Sequence, residues 1–162
     1  MNQATKRFFA RLYLDQAKSD DYVDWAIACL GDGFDSKNLR MLAATGKPFY
    51  PSEIEDRFRR SLDELGWSHP SRKESLLSYA KELAEEIVIG NLYPPAGCNQ
   101  IYKIALTLEY PDELTEWIYL DDGMNPETYE TIADIDNYPA IETPKWNNAI
   151  IQQAEKLAKS SY

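Results

Sequence analysis

The sequence predicts an all-α protein, and three observations lead to that fold class. Apolar residues recur at intervals of three and four along several segments, as on one face of a helix. Acidic or hydroxyl residues precede these segments and glycine or proline follows them, where helix caps and breakers belong. No stretch of useful length alternates polar and apolar residues as a half-buried strand does. We expect a compact bundle of six to seven helices, with residues 116–120 as the one candidate for a short extended segment.

The first two predicted helices form a hairpin. Residues 22–30 begin after two aspartates and stop at Gly31. Residues 38–44 begin after Asp35-Ser36 and stop at a second glycine. Acidic or hydroxyl starts and glycine stops are typical of short helices, and the glycine-containing turn between the two predicts an αα-hairpin.

Two capping boxes begin the next helices. In the first, the Ser52 hydroxyl can accept from the Glu55 amide while the Glu55 side chain reaches back to the Ser52 amide. The second pairs Ser71 with Glu74 in the same way and starts the longest helix, which runs to Gly90. We expect this long helix to be central.

The C-terminal half contains three further predicted helices. Pro94 and Pro95 supply the first turn of one, which ends at Pro111. A short helix then covers residues 112–117, and the last covers residues 144–159. A length of 162 residues suits one hydrophobic core, so we expect a single α-helical domain over the whole chain.

The cysteines and the N-terminus indicate a reducing, cytoplasmic setting. Cys29 and Cys98 lie in apolar, helix-like surroundings, which is the pattern of buried thiols rather than of a disulfide framework or metal knuckle. Arg11 interrupts the N-terminal apolar run before it reaches the length of a signal-peptide core. No stretch approaches the ~20 apolar residues of a membrane span.

Essentially all of the net charge lies in one quarter of the chain. The formal net charge is −10, and residues 104–144 alone carry eleven acidic side chains and no Lys or Arg. General binding to nucleic acid or to an anionic membrane needs a concentrated basic face, which this composition disfavours. A large partner is therefore expected to be basic or neutral.

The acidic segment also contains aromatic and β-branched residues, which disordered acidic tails usually lack. Two interpretations remain open: a solvated acidic face whose aromatic side chains pack inward, or a surface that docks a basic protein. In the second, carboxylates steer the encounter and aromatic rings supply contact area. The predicted partner-binding residues are seven acidic and three aromatic side chains: Asp112, Glu113, Glu116, Asp121, Asp122, Glu127, Glu130, Trp117, Tyr119 and Tyr129.

No catalytic or metal constellation is evident, and we expect neither an enzyme nor a cofactor. His69 is the only histidine, so paired-histidine metal motifs are absent. Residues 121–127 superficially suggest a calcium loop but lack its ligand spacing, and their Asp-Gly and Asn-Pro pairs are typical of turns and caps. The one concentrated basic group, Arg57, Arg59 and Arg60, is expected to lie near the acidic segment.

A series of cap and packing residues extends over most of residues 20–120: Trp25-Ala26, Leu30-Gly31, Asp35-Ser36, Leu39-Arg40, Leu42-Ala43, Gly90, Pro94, Gly97-Cys98, Ile101-Tyr102 and Trp117. This arrangement is similar to that of small helical bacterial proteins, some of which look like immunity proteins of toxin systems. The resemblance implies a cytosolic protein that binds and neutralises a cognate toxin, often a basic nuclease, without catalysing a reaction. It carries over no individual functional residue.

The expected function is thus stoichiometric binding of a basic protein, most concretely inhibition of a toxin. Two alternatives from other classes remain. One is a divalent-metal enzyme built on clustered carboxylates, and the other is an adaptor module that self-associates through apolar helix faces.

Overall fold

The computed structural model describes residues 2–124 and 143–160. All regular secondary structure in these ranges is helical, which confirms the predicted all-α class. The described residues form eight α-helices and one 3₁₀ turn, close to the six to seven helices expected. Their bounds are α1 Gln3–Tyr13, α2 Ser19–Gly31, α3 Lys37–Ala43, α4 Pro51–Leu65, α5 Arg72–Val88, α6 Pro94–Thr107, η1 Asp112–Leu114, α7 Thr115–Met124 and α8 Thr143–Ala158.

The helices separate into two compact units, residues 1–76 (unit 1) and residues 77–162 (unit 2). The boundary falls within α5, so this helix contributes residues to both. We expected a single domain over residues 1–162, which means that the whole chain would fold cooperatively. That expectation stays a prediction.

The core of unit 1 is built around the ring of Phe58 in α4. This ring lies edge-to-face with Trp25, Phe8 and Tyr22, at centroid distances of 4.7, 5.1 and 5.3 Å. Edge-to-face pairs place the positive edge of one ring on the negative face of another, and they add to the energy of apolar burial. The buried indole N–H of Trp25 donates to the Thr5 hydroxyl at 3.0 Å, so the polar atom of that ring is satisfied.

Helix α1 was not among the predicted helices, because Arg11 was taken only as an interruption of an apolar run. Residues Thr5, Phe8 and Phe9 are buried at helical spacing, whereas Arg11 points away from the core and pairs with Asp21 at 2.5 Å. An N-cap also supports the helix, because the Asn2 side chain accepts from the Thr5 amide at 3.1 Å.

One predicted capping box is wrong and the other is present in part. Helix α4 begins at Pro51, with Tyr50 as the N-cap residue and no side-chain cap. Proline fits the first helical position because its missing N–H has no partner there, so the helix starts one residue before Ser52. At the start of α5, the Ser71 hydroxyl accepts from the Glu74 amide at 3.1 Å, as predicted.

The core of unit 2 joins the second half of α5 to α6, η1, α7 and α8. Its buried apolar residues are Leu77, Ala80, Leu83, Ala84, Ile87, Cys98, Ile101, Ile104, Ala105, Leu114, Trp117, Ile150, Ala154 and Leu157. Two glycines allow helices to approach closely. A Cβ atom on Gly97 would lie 2.6 Å from Cδ1 of Ile87, and one on Gly123 would lie 2.5 Å from the ring of Trp146.

The expectation of an extended segment at residues 116–120 is wrong, because these residues lie within α7. Their β-branched and aromatic composition favours a strand only weakly, and tertiary packing overrides such preferences. Leu114, Trp117 and Asp121 are buried at positions i, i+3 and i+7, which is a helical stripe. Gly123 is likewise a buried helical residue and not part of a turn.

Replacing Gly97 by alanine should destabilise the protein. The new methyl group would meet two side chains at less than 3.0 Å, and Ile87 is too deeply buried to move freely. Overpacking of this kind costs about 1–3 kcal/mol, which exceeds the gain in helix propensity of about 1 kcal/mol. We expect Gly97→Ala to lower the free energy of unfolding by up to about 2 kcal/mol in urea titrations.

The matched control is Gly31→Ala at the end of α2, where a Cβ would meet nothing within 4 Å. This variant should be as stable as the wild type or slightly more so. Equal stabilities of Gly97→Ala and Gly31→Ala would contradict the close contact at Gly97.

Candidate protein-docking surface

The two units differ sharply in charge. Unit 1 contains twelve Lys and Arg and twelve Asp and Glu, whereas unit 2 contains five and fifteen. The whole net charge of −10 therefore belongs to unit 2. An excess of one sign raises the local electrostatic potential and attracts molecules of opposite sign.

Many carboxylates of unit 1 have basic partners nearby. Arg57 pairs with Glu53, and both Arg59 and Arg60 pair with Asp56, at 2.8 and 2.7 Å. The hydrogen bond from Arg59 and the charges of both arginines lower the pKa of Asp56. These arginines are thus paired within their own helix. The expectation that the cluster lies near the acidic segment stays a prediction.

The acidic residues around the end of α6 and the start of α7 are arranged differently. Glu109, Asp112 and Glu116 are exposed, and none of them forms an ion pair with a basic residue in residues 2–124 or 143–160. Glu113 and Asp122 are half-buried. These three exposed carboxylates thus form no ion pair in the described part of the chain, and the sequence of residues 104–144 contains no Lys or Arg.

Two tyrosines are exposed beside these carboxylates. Tyr110 is 62% exposed and Tyr119 is 67% exposed. Glu116 and Tyr119 are three residues apart on α7, so they are neighbours on its outer face, and Asp112 is exposed in the 3₁₀ turn just before this helix. We call Glu109, Tyr110, Asp112, Glu116 and Tyr119 the α6–α7 acidic surface.

The chain reaches this surface through an unusual backbone turn. Glu109 and Tyr110 both have left-handed φ values, 59° and 63°. The Tyr110 amide donates to the Ala105 carbonyl at 2.9 Å, which closes the end of α6. The left-handed conformation costs a non-glycine residue about 1 kcal/mol in free energy, so this turn is strained. Its effect is to place both side chains outside the helix.

Trp117, predicted as an anchoring aromatic residue, lies instead in the core of unit 2 with no exposed surface. Its carbonyl accepts from the thiol of Cys98 at 3.9 Å. Its indole N–H has no hydrogen-bond partner among the described residues. Because the ring belongs to the buried stripe of α7, it is not available to a partner in this structure, and Tyr119 is the exposed aromatic residue of the helix.

Asp121 was also predicted to lie on the surface, but its side chain is only 7% exposed. The Asn99 amide group donates to its carboxyl at 3.3 Å. Burial raises the pKa of Asp121 and the neighbouring Asp122 adds to the rise, whereas Asn99 and Lys103 oppose it. This carboxyl therefore belongs to the contact between α6 and α7.

Of the remaining predicted site residues, Glu127, Tyr129 and Glu130 lie outside the described residues. The predicted set also omitted Glu109 and Tyr110, which the structure exposes next to Asp112. Their position just before Pro111, where α6 has ended, is the sequence signal that marks them as surface residues.

Both cysteines are buried free thiols, as predicted. Burial raises the pKa of Cys98 to about 12, with a further contribution from the charge of Asp121. Burial also raises the pKa of Cys29, against hydrogen bonds from Thr5 and Asn2. Neither environment favours the thiolate that a nucleophile requires.

Other site types have little support in the described part of the chain. In that part, no three His, Cys, Asp or Glu residues are grouped so that they could hold a metal ion. A groove of about 220 Å³ lies between α1 and α2, with Arg11 and Asp21 paired at its rim. Ligand sites usually measure about 300–1,000 Å³, so this groove is small for one.

None of the described helices is both long enough and apolar enough to cross a lipid bilayer. Comparison with known proteins finds no match: no family model fits the sequence, and neither a curated protein nor a solved structure matches it.

Proposed function

We propose that this chain is a stoichiometric protein-binding protein that docks a basic protein on the α6–α7 acidic surface. The observation that carries the proposal is the exposure of three carboxylates, Glu109, Asp112 and Glu116, that form no ion pair among the described residues and lie beside two exposed tyrosines. This combination of unscreened charge and aromatic area suits recognition of a basic surface.

The charge difference between the units gives the docking a physical basis. Unit 1 has no net charge, whereas unit 2 has all ten excess negative charges. A basic partner is drawn toward the acidic unit over a distance of about one Debye length, near 8–10 Å at physiological salt. Such steering speeds association more than it deepens affinity.

The exposed tyrosines supply the affinity that steering alone does not. Tyrosine offers a large, rigid contact area and a hydroxyl group, and it is enriched among the residues that dominate binding energies. Tyr110 and Tyr119 flank the exposed carboxylates, so their rings would be covered by a partner that neutralises those charges.

The more specific form of the proposal is a cytoplasmic immunity-type protein that neutralises a basic toxin, such as a nuclease. Its support is the resemblance of residues 20–120 to helical immunity proteins, together with the acidic surface. The active face of a nuclease must be basic to bind phosphate. A carboxylate surface is therefore suited to compete for it, and the chain would act by occupation and not by catalysis.

Self-association is a second candidate, and one observation favours it. Val88, Ile89 and Tyr93, at the connection of α5 to α6, are 41%, 64% and 59% exposed. Exposed apolar residues close together in sequence suit contact with another apolar surface. A stable oligomer that persists at high salt would favour this candidate over the basic partner.

Neutralising the three exposed carboxylates should weaken capture of the partner. The variant Glu109→Gln/Asp112→Asn/Glu116→Gln removes three charges from the α6–α7 acidic surface. We expect the wild type, tagged and exposed to a bacterial lysate at low salt, to retain a basic protein in stoichiometric amount that moderate salt releases. The triple variant should retain at least about tenfold less, because electrostatic attraction of this kind changes association by ten to a thousandfold.

A control of equal charge is available in unit 1. Asp24→Asn/Glu55→Gln/Asp63→Asn also removes three exposed carboxylates but leaves the α6–α7 acidic surface intact. This variant should capture the same protein as the wild type. Equal losses in both variants would show that only total charge matters, and they would contradict a defined docking surface.

Truncating Tyr119 should weaken binding of the captured partner without changing its salt dependence. We expect Tyr119→Ala to raise the dissociation constant by more than about fivefold, equivalent to over 1 kcal/mol, in isothermal titration calorimetry. Tyr50→Ala is the matched control, because Tyr50 is 63% exposed in unit 1. Unchanged affinity of the Tyr119 variant would exclude this ring as an anchor.

A further inference from the structure

Asp121 is the only carboxylic side chain that is buried among the described residues. It projects from α7 into the contact with α6, one turn beyond Trp117. The other carboxylates of α7, Glu116 and Asp122, are exposed or half-buried. Transfer of an ionised carboxylate into such a position is costly unless several donors replace its hydration.

Within residues 2–124 and 143–160, the groups that face Asp121 do not supply such a set of donors. From α6, the Asn99 amide donates one hydrogen bond at 3.3 Å, which is long for a bond to an ionised acceptor. The other titratable or charged groups of α6 and α7 that interact electrostatically with Asp121 or with its neighbour are Cys98, Tyr102, Lys103 and Asp122. Charged side chains on the remaining elements packed against α7 are Asp112 and Glu113 of η1, and Lys145, Glu155 and Lys156 of α8.

The balance of these surroundings makes ionisation of Asp121 less favourable than that of an aspartate in water. Lys103 is the one basic residue of α6, and it is exposed to solvent. Desolvation raises the pKa of Asp121, and the negative charge of Asp122 acts in the same direction. A protonated carboxyl needs less hydration and can itself donate a hydrogen bond, so it fits this contact better than the ion does.

We propose that Asp121 is a pH switch built into unit 2. In its protonated form it holds α7 against α6, and on ionisation it loosens α7 and thereby the surface that this helix carries. The switch does not depend on which partner that surface binds.

The direction of the pH dependence follows from linkage. The pKa of Asp121 is higher in the folded chain than in the unfolded chain, where aspartate titrates near pH 4. The stabilising contribution is therefore fully present below about pH 4 and is lost as pH rises through the folded value. Lowering the pH through the folded value should thus tighten α7, and raising the pH through it should loosen α7.

The test is urea unfolding of the full chain at a series of pH values from acid to neutral, for the wild type and Asp121→Asn. Asparagine imitates the neutral carboxyl, so the two proteins should have similar free energies of unfolding in acid. These free energies should diverge as pH rises and Asp121 of the wild type ionises. The ratio of their unfolding equilibrium constants should change about tenfold for each unit by which the folded pKa exceeds the unfolded one. Asp122→Asn removes a charge that contributes to the raised pKa, so it should keep a pH dependence of the same direction but of smaller size, because the larger cause, the burial of Asp121, remains.

A second measurement shows whether the pH-dependent loosening occurs in α7. Hydrogen exchange of the α7 amides, corrected for intrinsic rates, should show protection that falls with rising pH in the wild type and stays level in Asp121→Asn. A constant ratio of unfolding constants across the pH series would overturn the switch. If Asp121→Asn does not fold, a carbon-13 NMR titration of the wild-type Asp121 carboxyl decides: a midpoint above the ordinary aspartate value supports the switch, and one at or below it overturns it.

Discussion

The position of α7 depends on its contact with α8, where the ring of Trp146 lies against Gly123. A side chain at residue 123 would overlap the ring, so glycine allows an approach that no other residue permits without displacement. Trp117 lies on another face of α7 and enters the core. Tyr119 follows two residues later, so the helical period places its side chain on the side opposite Trp117, where it faces solvent. The burial of Trp117 therefore leaves Tyr119 as the exposed aromatic residue of α7.

The excess of negative charge in unit 2, to which α7 belongs, lowers its stability through repulsion between carboxylates. Unit 1 balances its acidic residues with an equal number of basic ones, whereas unit 2 concentrates like charges that repel one another. Such a destabilising excess of negative charge is consistent with the proposed binding of a basic protein. At Asp121 this excess extends into the core, where the proposed switch would couple the stability of the acidic surface to pH. The proposed recognition and the proposed pH sensitivity thus both draw on the acidic composition of unit 2.

The fold class could be predicted from local signals, whereas the candidate site could be predicted only in part. Proline starts, glycine stops and the Ser71 cap are local, and they mark helices correctly. Which face of a helix is buried depends on distant residues: Trp117 and Asp121 became interior residues because α6 and α8 cover them. Gly123 looked like a turn residue because its role as a contact for Trp146 has no local signature. Helix α1 was missed because a charged residue on its outer face was taken as an end of the apolar pattern.

The most direct test of the central claim is the association rate of the captured basic partner, measured by stopped-flow fluorescence from low to physiological ionic strength. If Glu109, Asp112 and Glu116 steer the encounter, the wild-type rate should fall by about tenfold or more over this range. The triple neutral variant should associate slowly at low salt, with a nearly flat salt dependence. A wild-type rate that does not depend on salt, or a triple variant with the wild-type slope, would contradict docking through the α6–α7 acidic surface.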